Sequence, residues 1–197
     1  MSKPARIRRT PEESRQNILA AAERLLTEQG PQTLRLADVA KEAGVVNATV
    51  LHHFGTIDGV HKALMEQMIA DLVGNIVALE VPDDREVVRG FAFRTLIDTF
   101  QDKGAARLAA WLELTDETKR LTTVREAVTR VITEKIHPDD VPQDRVEDII
   151  MISVILALGV GLFGRTMEAQ LGKEEGRAGE LALELLNTGA ESLVSKP

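Results

Sequence analysis

Eleven residues from Gly44 to Phe54, GVVNATVLHHF, decide the fold prediction. They follow a short helical pattern, LRLADVAKEA, and only a turn at Gly44 separates the two. Glycine takes the left-handed backbone conformation at no steric cost, so Gly44 can end one helix and reverse the chain. We predict helices over roughly 36–43 and 47–54. The first has apolar residues at the spacing of one helix face: Leu36, Val39, Ala40 and Ala43.

The second of these helices carries polar side chains on the side away from its apolar residues. Val45, Val50 and Phe54 are placed to point inward. Four polar residues then face outward: Asn47, Thr49, His52 and His53. This arrangement is typical of a DNA-binding helix-turn-helix, whose second helix enters the major groove. An ordinary corner between two packed helices has the same pattern, so the stretch alone leaves both interpretations open.

A longer segment, residues 10–64, resembles the N-terminal domain of the TetR family of bacterial transcriptional repressors. The matching features are a Thr-Pro start, a helix rich in Ala and Leu, the runs LADVAKEAGV and TVLHHF, and a helix that opens at Thr56. Two positions depart from the family pattern. Leu51 replaces the usual aromatic residue, and Ile57 stands where a lysine is usual. Both departures remove expected phosphate contacts.

The resemblance implies an all-α chain. It implies a three-helix DNA-binding domain with the helix-turn-helix over residues 10–55, and a larger helical domain for effector binding and dimerisation over residues 56–197. The two DNA-binding domains of one dimer would bind a pseudo-palindromic, double-stranded DNA operator. The implied function is a transcriptional repressor that a small-molecule effector releases. Family members dimerise through their last two long helices, and residues 144–171 and 174–194 are similar in position and length.

Charge is distributed unevenly along the chain. The formal net charge of −7 by itself argues against binding to nucleic acid. Residues 1–62 nevertheless hold nine Lys/Arg and seven Asp/Glu, whereas residues 63–197 hold fifteen and twenty-four. This asymmetry predicts a DNA-facing end and a remote acidic body.

The predicted phosphate contacts lie outside the second helix, because no Lys or Arg occurs between Gly44 and Phe54. Residues 1–9 are expected to form a flexible basic arm that holds DNA, although a solvated tail would have the same composition. The candidate phosphate-binding residues are Arg6, Arg8 and Arg9 in this arm, and Arg35 and Lys41 near the helix predicted over 36–43.

Aromatic residues are concentrated between Phe91 and Trp111. Ligand sites are mostly apolar with few polar anchors, so this region and the apolar segment near position 151 predict a pocket for a small apolar effector. The candidate contacts are Phe93, Phe100, Trp111 and Met151. Ordinary core packing is the competing explanation for each of them.

The most apolar stretch is Ile149–Gly164, which contains sixteen residues and no charge. It is shorter than the roughly 20 residues that span a bilayer, so we expect a buried helix and no membrane partner. A helix that is apolar on all sides needs cover on all sides. One subunit covers only some of them, so a homodimer is expected. Gly159, Gly161 and Gly164 are expected to let a second backbone approach closely.

Other classes of function have little support. The chain has no cysteine, so it has no thiolate metal site. His52 and His53 point about 100° apart on a helix and cannot easily share a metal. None of the serines lies on the glycine-flanked turn of a nucleophile. We therefore expect no catalytic residue, no metal and no cofactor, and a cytoplasmic location because no apolar segment follows the basic start. The alternative is a helical small-molecule- or partner-binding protein with a degenerate DNA-binding head.

Overall fold

The computed structural model describes residues 10–78, 85–115, 126–127, 129–131 and 142–194. Within these ranges the regular secondary structure is entirely helical, so the predicted all-α fold class is confirmed. The basic arm predicted over residues 1–9 lies outside them. The chain divides into two compact units, and the boundary falls between Leu64 and Met65.

The first unit is built mainly from three short helices. They are α1 (Pro11–Gln29), α2 (Leu36–Ala43) and α3 (Asn47–Phe54), with a 3-10 turn at Pro31–Thr33 after α1. The bounds predicted for α2 and α3 are confirmed. A further helix, α4 (Ile57–Val77), begins in this unit and extends past its boundary.

A reciprocal cap fixes the start of α1. Thr10 Oγ1 accepts a hydrogen bond from the Glu13 N–H at 3.2 Å, and the Glu13 carboxylate accepts one from the Thr10 N–H at 2.7 Å. This pair satisfies two amide groups that the helix itself leaves unpaired. The inner face of α1 supplies much of the core of the unit through Ile18, Leu19, Ala22, Leu25 and Leu26.

The second unit holds further helices. They are α5 (Arg85–Gln101), α6 (Ala105–Leu114), α7 (Gln143–Leu171) and α8 (Arg177–Val194). The central element is α7, which packs against α5, α6 and α8. It contains the whole apolar run that the sequence predicted as one helix.

Gly161 lies where α7 packs most closely inside the subunit. A Cβ atom at this position would lie 2.5 Å from Ala106 Cβ and 2.6 Å from the Phe100 carbonyl oxygen. Gly161 therefore lets the backbone of α5 approach closely, and this approach is within the subunit. Gly164 faces α8, since its Cβ would lie 3.2 Å from Ala178 Cβ. Gly159 has no described atom within 4 Å of its Cβ position.

A buried carboxylate joins α7 to α8. Glu168 Oε1 accepts a hydrogen bond from the Ala178 N–H at 2.7 Å, and Glu168 is buried. Ala178 is the second residue of α8, so its amide has no partner within that helix. The negative charge also lies at the positive end of the α8 dipole, which is favourable. This contact fixes the start of α8 against α7.

Candidate nucleic-acid interface

The turn between α2 and α3 has the predicted left-handed glycine. Gly44 has φ 67° and ψ 34°. Its N–H donates to the Lys41 carbonyl at 3.1 Å, and the Val45 N–H donates to the Ala40 carbonyl at 2.9 Å. These two bonds close the end of α2, as a glycine cap does. The turn then directs the chain into α3, where Val50 is fully buried.

Side chains of α1 contact the ends of α2 and α3. Asn17 Nδ2 donates to the Ala43 carbonyl at 2.8 Å, at the last residue of α2. The Arg15 guanidinium lies 5.3 Å from the centroid of the Phe54 ring, in a cation–π contact with the last residue of α3. The orientation of α3 is therefore set by α1 as well as by the turn.

His53 does not face outward as predicted. It is half-buried, and its Nε2 lies 3.2 Å from Ser14 Oγ on α1. Thr49 is half-buried as well. His53 lies only about 60° from the buried Val50 around the helix axis, which places it toward the inner side. The fully outward polar residues of α3 are therefore Asn47 and His52.

The outer surface of α3 also carries apolar residues that the sequence analysis did not assign to the site. Val46, which precedes the helix and gives it no side-chain cap, is 67% exposed. Leu51 is 41% exposed, and Ala48 is exposed as well. The helical angle could have identified Ala48, because it lies about 160° from Val50 around the helix axis.

Two of the predicted phosphate-binding cations lie on α2. Arg35 is the residue before its first turn and Lys41 lies in its last turn, and both are exposed. The neighbouring Glu42 forms a salt bridge with Arg24 at 2.8 Å, so its negative charge is partly offset. The other three cations, Arg6, Arg8 and Arg9, belong to the arm outside the described residues.

His61 on α4 is a buried titratable group in the same unit, with 3% exposure. Burial lowers the pKa of His61 from its usual value, because the charged ring would lose its hydration. The Asp58 carboxylate, 3.7 Å from Nδ1, raises the pKa and offsets part of this effect.

We expect the protein to lose stability as the pH falls below about 6.5, the ordinary histidine pKa. The folded-state pKa of His61 is lower than the unfolded-state pKa, so the unfolded chain binds a proton first and acid favours unfolding. Thermal unfolding measured between neutral and mildly acidic pH gives the dependence of stability on pH. His61→Leu should flatten this pH dependence. Equal slopes in wild type and His61→Leu would contradict the assignment.

The four predicted effector contacts have different environments. Phe93 is buried and packs with Leu186, and Phe100 is buried too. Trp111 is half-buried. Met151 is exposed, so it does not share the buried environment of the two phenylalanines.

Large apolar side chains are exposed along α7 and α8. An open groove of about 290 Å³ follows α7, and its lining includes Ile155, Gly159 and Phe163. We call seven of the exposed apolar residues of the two helices the outer apolar face: Met151, Ile152, Ile155, Phe163, Met167, Leu181 and Leu185. Four of them, Ile152, Ile155, Phe163 and Met167, line the same groove. Isolated exposed apolar residues are ordinary, but apolar residues that share one groove mark an interaction surface.

Among the described residues, α7 is also the one helix that is long and apolar enough to cross a membrane, with a mean hydropathy of 2.2 over its most apolar window. One such helix is weak evidence of a membrane span, because the core helix of a soluble protein passes the same test. The described residues contain no group of three or more His, Asp or Glu side chains that could hold a metal ion.

Residues 18–64 match the family model described as bacterial regulatory proteins, tetR family. This segment includes most of α1, all of α2 and α3, and the start of α4. Residues 18–64 are therefore a tetR-family segment. This match supports a DNA-binding transcriptional regulator. A comparison with curated proteins gives no significant match.

Solved structures share the fold of this chain. A TetR variant from Acinetobacter baumannii AYE, in complex with minocycline, is 19% identical and has a TM-score of 0.65, with coverage of 91% of this chain and 93% of that chain. A tetR-family transcriptional regulator from Pectobacterium atrosepticum is 22% identical, with a TM-score of 0.65 and coverage of 98% and 100%. The multidrug binding protein EbrR, complexed with imidazole, is 20% identical, with a TM-score of 0.61 and coverage of 94% and 97%. At these identities the likeness establishes the fold.

Proposed function

We propose that this tetR-family regulator is a repressor that reads a pseudo-palindromic operator with α3 and is released by a small apolar effector. The observation that carries the proposal is the outward face of α3. It presents Asn47 and His52 to solvent within the family-matched segment, while α1 holds the helix from behind. A recognition helix needs this combination of exposed polar side chains and fixed orientation.

In this proposal the contacts divide into two kinds. Asn47 can pair bidentately with adenine in the major groove, and His52 can form a hydrogen bond to a neighbouring base or phosphate. Arg35 and Lys41 neutralise backbone phosphates beside the groove, as do Arg6, Arg8 and Arg9 of the arm. Thr49 and His53, being half-buried, position the helix more than they read the DNA.

Two substitutions should separate the two kinds of contact. We expect Asn47→Ala to relax discrimination at one base pair per half-site, at a cost of about 1–3 kcal/mol for the preferred sequence. Lys41→Gln should weaken binding to all sequences alike and reduce the salt slope by about 0.9 per lost phosphate contact. Lys103→Gln removes an exposed charge in the other unit and is the control. Affinity measured against salt on matched and mismatched duplexes tests both. An unchanged base preference in Asn47→Ala would contradict the docking of α3.

We also propose that the outer apolar face joins two subunits into a homodimer through residues 144–171 and 174–194. A membrane would be the other apolar environment for α7. Inserting α7 in a bilayer would separate it from α5 and α6 and would place the buried Ser153 and Glu168 in lipid, which is costly. A second subunit covers the same face without disturbing those contacts. The proposed location is the cytoplasm, with no membrane partner.

The effector proposal rests on the apolar interior of the second unit. Phe93, Phe100 and Trp111 supply aromatic surface there. Met151 lies on the outer apolar face and contributes to a pocket only where that pocket reaches the interface. Two proteins of the same fold bind small molecules, minocycline in one and imidazole in the other. We propose no catalytic activity for the chain, in keeping with a family of regulators.

A further inference from the structure

We infer that α3 recognises the C5-methyl groups of thymine through an apolar strip formed by Val46, Ala48 and Leu51. This would make the operator dependent on thymine at fixed positions in each half-site. The inference rests on the proposed docking of α3 in the major groove, and it adds a class of base contact that the polar residues do not provide.

The strip occupies the middle of the outer surface of α3. With about 100° between successive residues, Ala48 and Leu51 lie some 60° apart, about 160° and 100° from the buried Val50. Asn47 and His52 flank them, one on each side. Val46 adds its side chain at the start of the helix and is 67% exposed. The centre of the proposed reading surface is therefore apolar, and its polar residues are at the edges.

The chemistry of the major groove gives this strip one apolar partner. Of the groups that base pairs present there, the thymine methyl is the apolar one, and the others donate or accept hydrogen bonds. Phosphates on either side offer nothing to a leucine or valine side chain. The commonest contact to guanine needs arginine or lysine, and α3 has neither. Asn47 suits adenine, so the strip and Asn47 can read the two bases of A·T pairs.

The inference predicts a specific loss of affinity when thymine methyl groups are removed. Duplexes that bind wild type are first enriched from a randomised pool and then resynthesised with deoxyuridine in place of thymine, one position at a time. Deoxyuridine keeps the pairing edge and lacks only the methyl group. Each contacted methyl is expected to be worth roughly fourfold in affinity, the value for burying one such group. Effects of this size should occur at symmetric positions in both half-sites.

Variants of the strip test whether its side chains make the methyl contacts. Leu51→Ala should bind the thymine duplex more weakly and should no longer distinguish it from the deoxyuridine duplex at one position per half-site. Leu114→Ala shortens a leucine that is 85% exposed on α6 and should keep the full distinction. Comparing variants on the same pair of duplexes cancels any effect of deoxyuridine on the DNA itself.

Three results would overturn the inference. Equal affinity of wild type for thymine and deoxyuridine duplexes would exclude methyl recognition while leaving operator binding intact. Full deoxyuridine sensitivity in both Val46→Ala and Leu51→Ala would place the methyl contacts elsewhere on the protein. Failure to enrich any sequence would overturn base reading by α3, and the proposed function with it.

Discussion

Ile155→Glu is expected to give folded monomers that bind operator DNA roughly a hundredfold more weakly than wild type, or worse. Ile155 is exposed within one subunit and lines the groove along α7, so a carboxylate there is hydrated and harmless to the subunit fold. In the proposed interface the same carboxylate would be buried without a partner. That costs several kcal/mol, and each 1.4 kcal/mol is a factor of about ten in the equilibrium constant.

Sedimentation or gel filtration measures whether the variant is monomeric, and circular dichroism measures whether it is folded. Leu114→Glu is the matched control, because it places the same charge on an exposed leucine outside the outer apolar face. It should remain dimeric and bind DNA as wild type does. A wild-type protein that is monomeric at micromolar concentration, or an Ile155→Glu protein that still dimerises, would contradict the proposed interface.

Gly161→Ala is expected to lower the free energy of unfolding by about 1–3 kcal/mol, the usual cost of overpacking a well-filled core. Its new methyl would meet the Ala106 methyl and the Phe100 carbonyl at distances that atoms do not occupy. Elsewhere in a helix the same exchange is stabilising by about 0.5–1 kcal/mol, because alanine loses less backbone entropy than glycine. The packing of α7 against α5 and α6 therefore reverses the sign.

Gly74→Ala is the control for this prediction, since Gly74 lies within α4 and its Cβ position has no described atom within 4 Å. It should gain stability where Gly161→Ala loses it. Urea unfolding of the full chain at one fixed protein concentration measures both. A Gly161→Ala protein as stable as Gly74→Ala would show that α7 does not pack as described. A charge at Gly161 would damage the subunit itself, so it is no test of the dimer.

Local signals in the sequence were sufficient for the first unit. The Thr-Pro start of α1, the glycine turn and the spacing of Val39, Ala40 and Ala43 each depend on residues within a few positions of one another. Such features can be predicted because the chain itself brings the interacting groups together. The partial burial of His53 was not predicted, for the opposite reason. Its partner Ser14 is 39 residues away, and only the packing of α1 on α3 brings them to 3.2 Å.

In the second unit, the periodicity of the sequence predicted a helix but not the elements that pack against each of its faces. The apolar run in α7 predicted a helix in need of cover on all sides. Three glycines that look alike in sequence proved to have three environments: Gly161 faces α5 and α6, Gly164 faces α8, and Gly159 is open. The environment of each glycine depends on which helix packs against that position of α7. The same holds for Phe93 and Met151, of which one is buried and the other exposed.

Two copies of α3, carried by one dimer, are proposed to read a single operator. DNase footprinting of the purified chain on the DNA upstream of its own coding sequence tests this proposal. We expect two protected half-sites related by approximate two-fold symmetry, with centres separated by about 10 base pairs or a multiple of that distance. One unpaired half-site, or no protection at concentrations where the protein is dimeric, would contradict it.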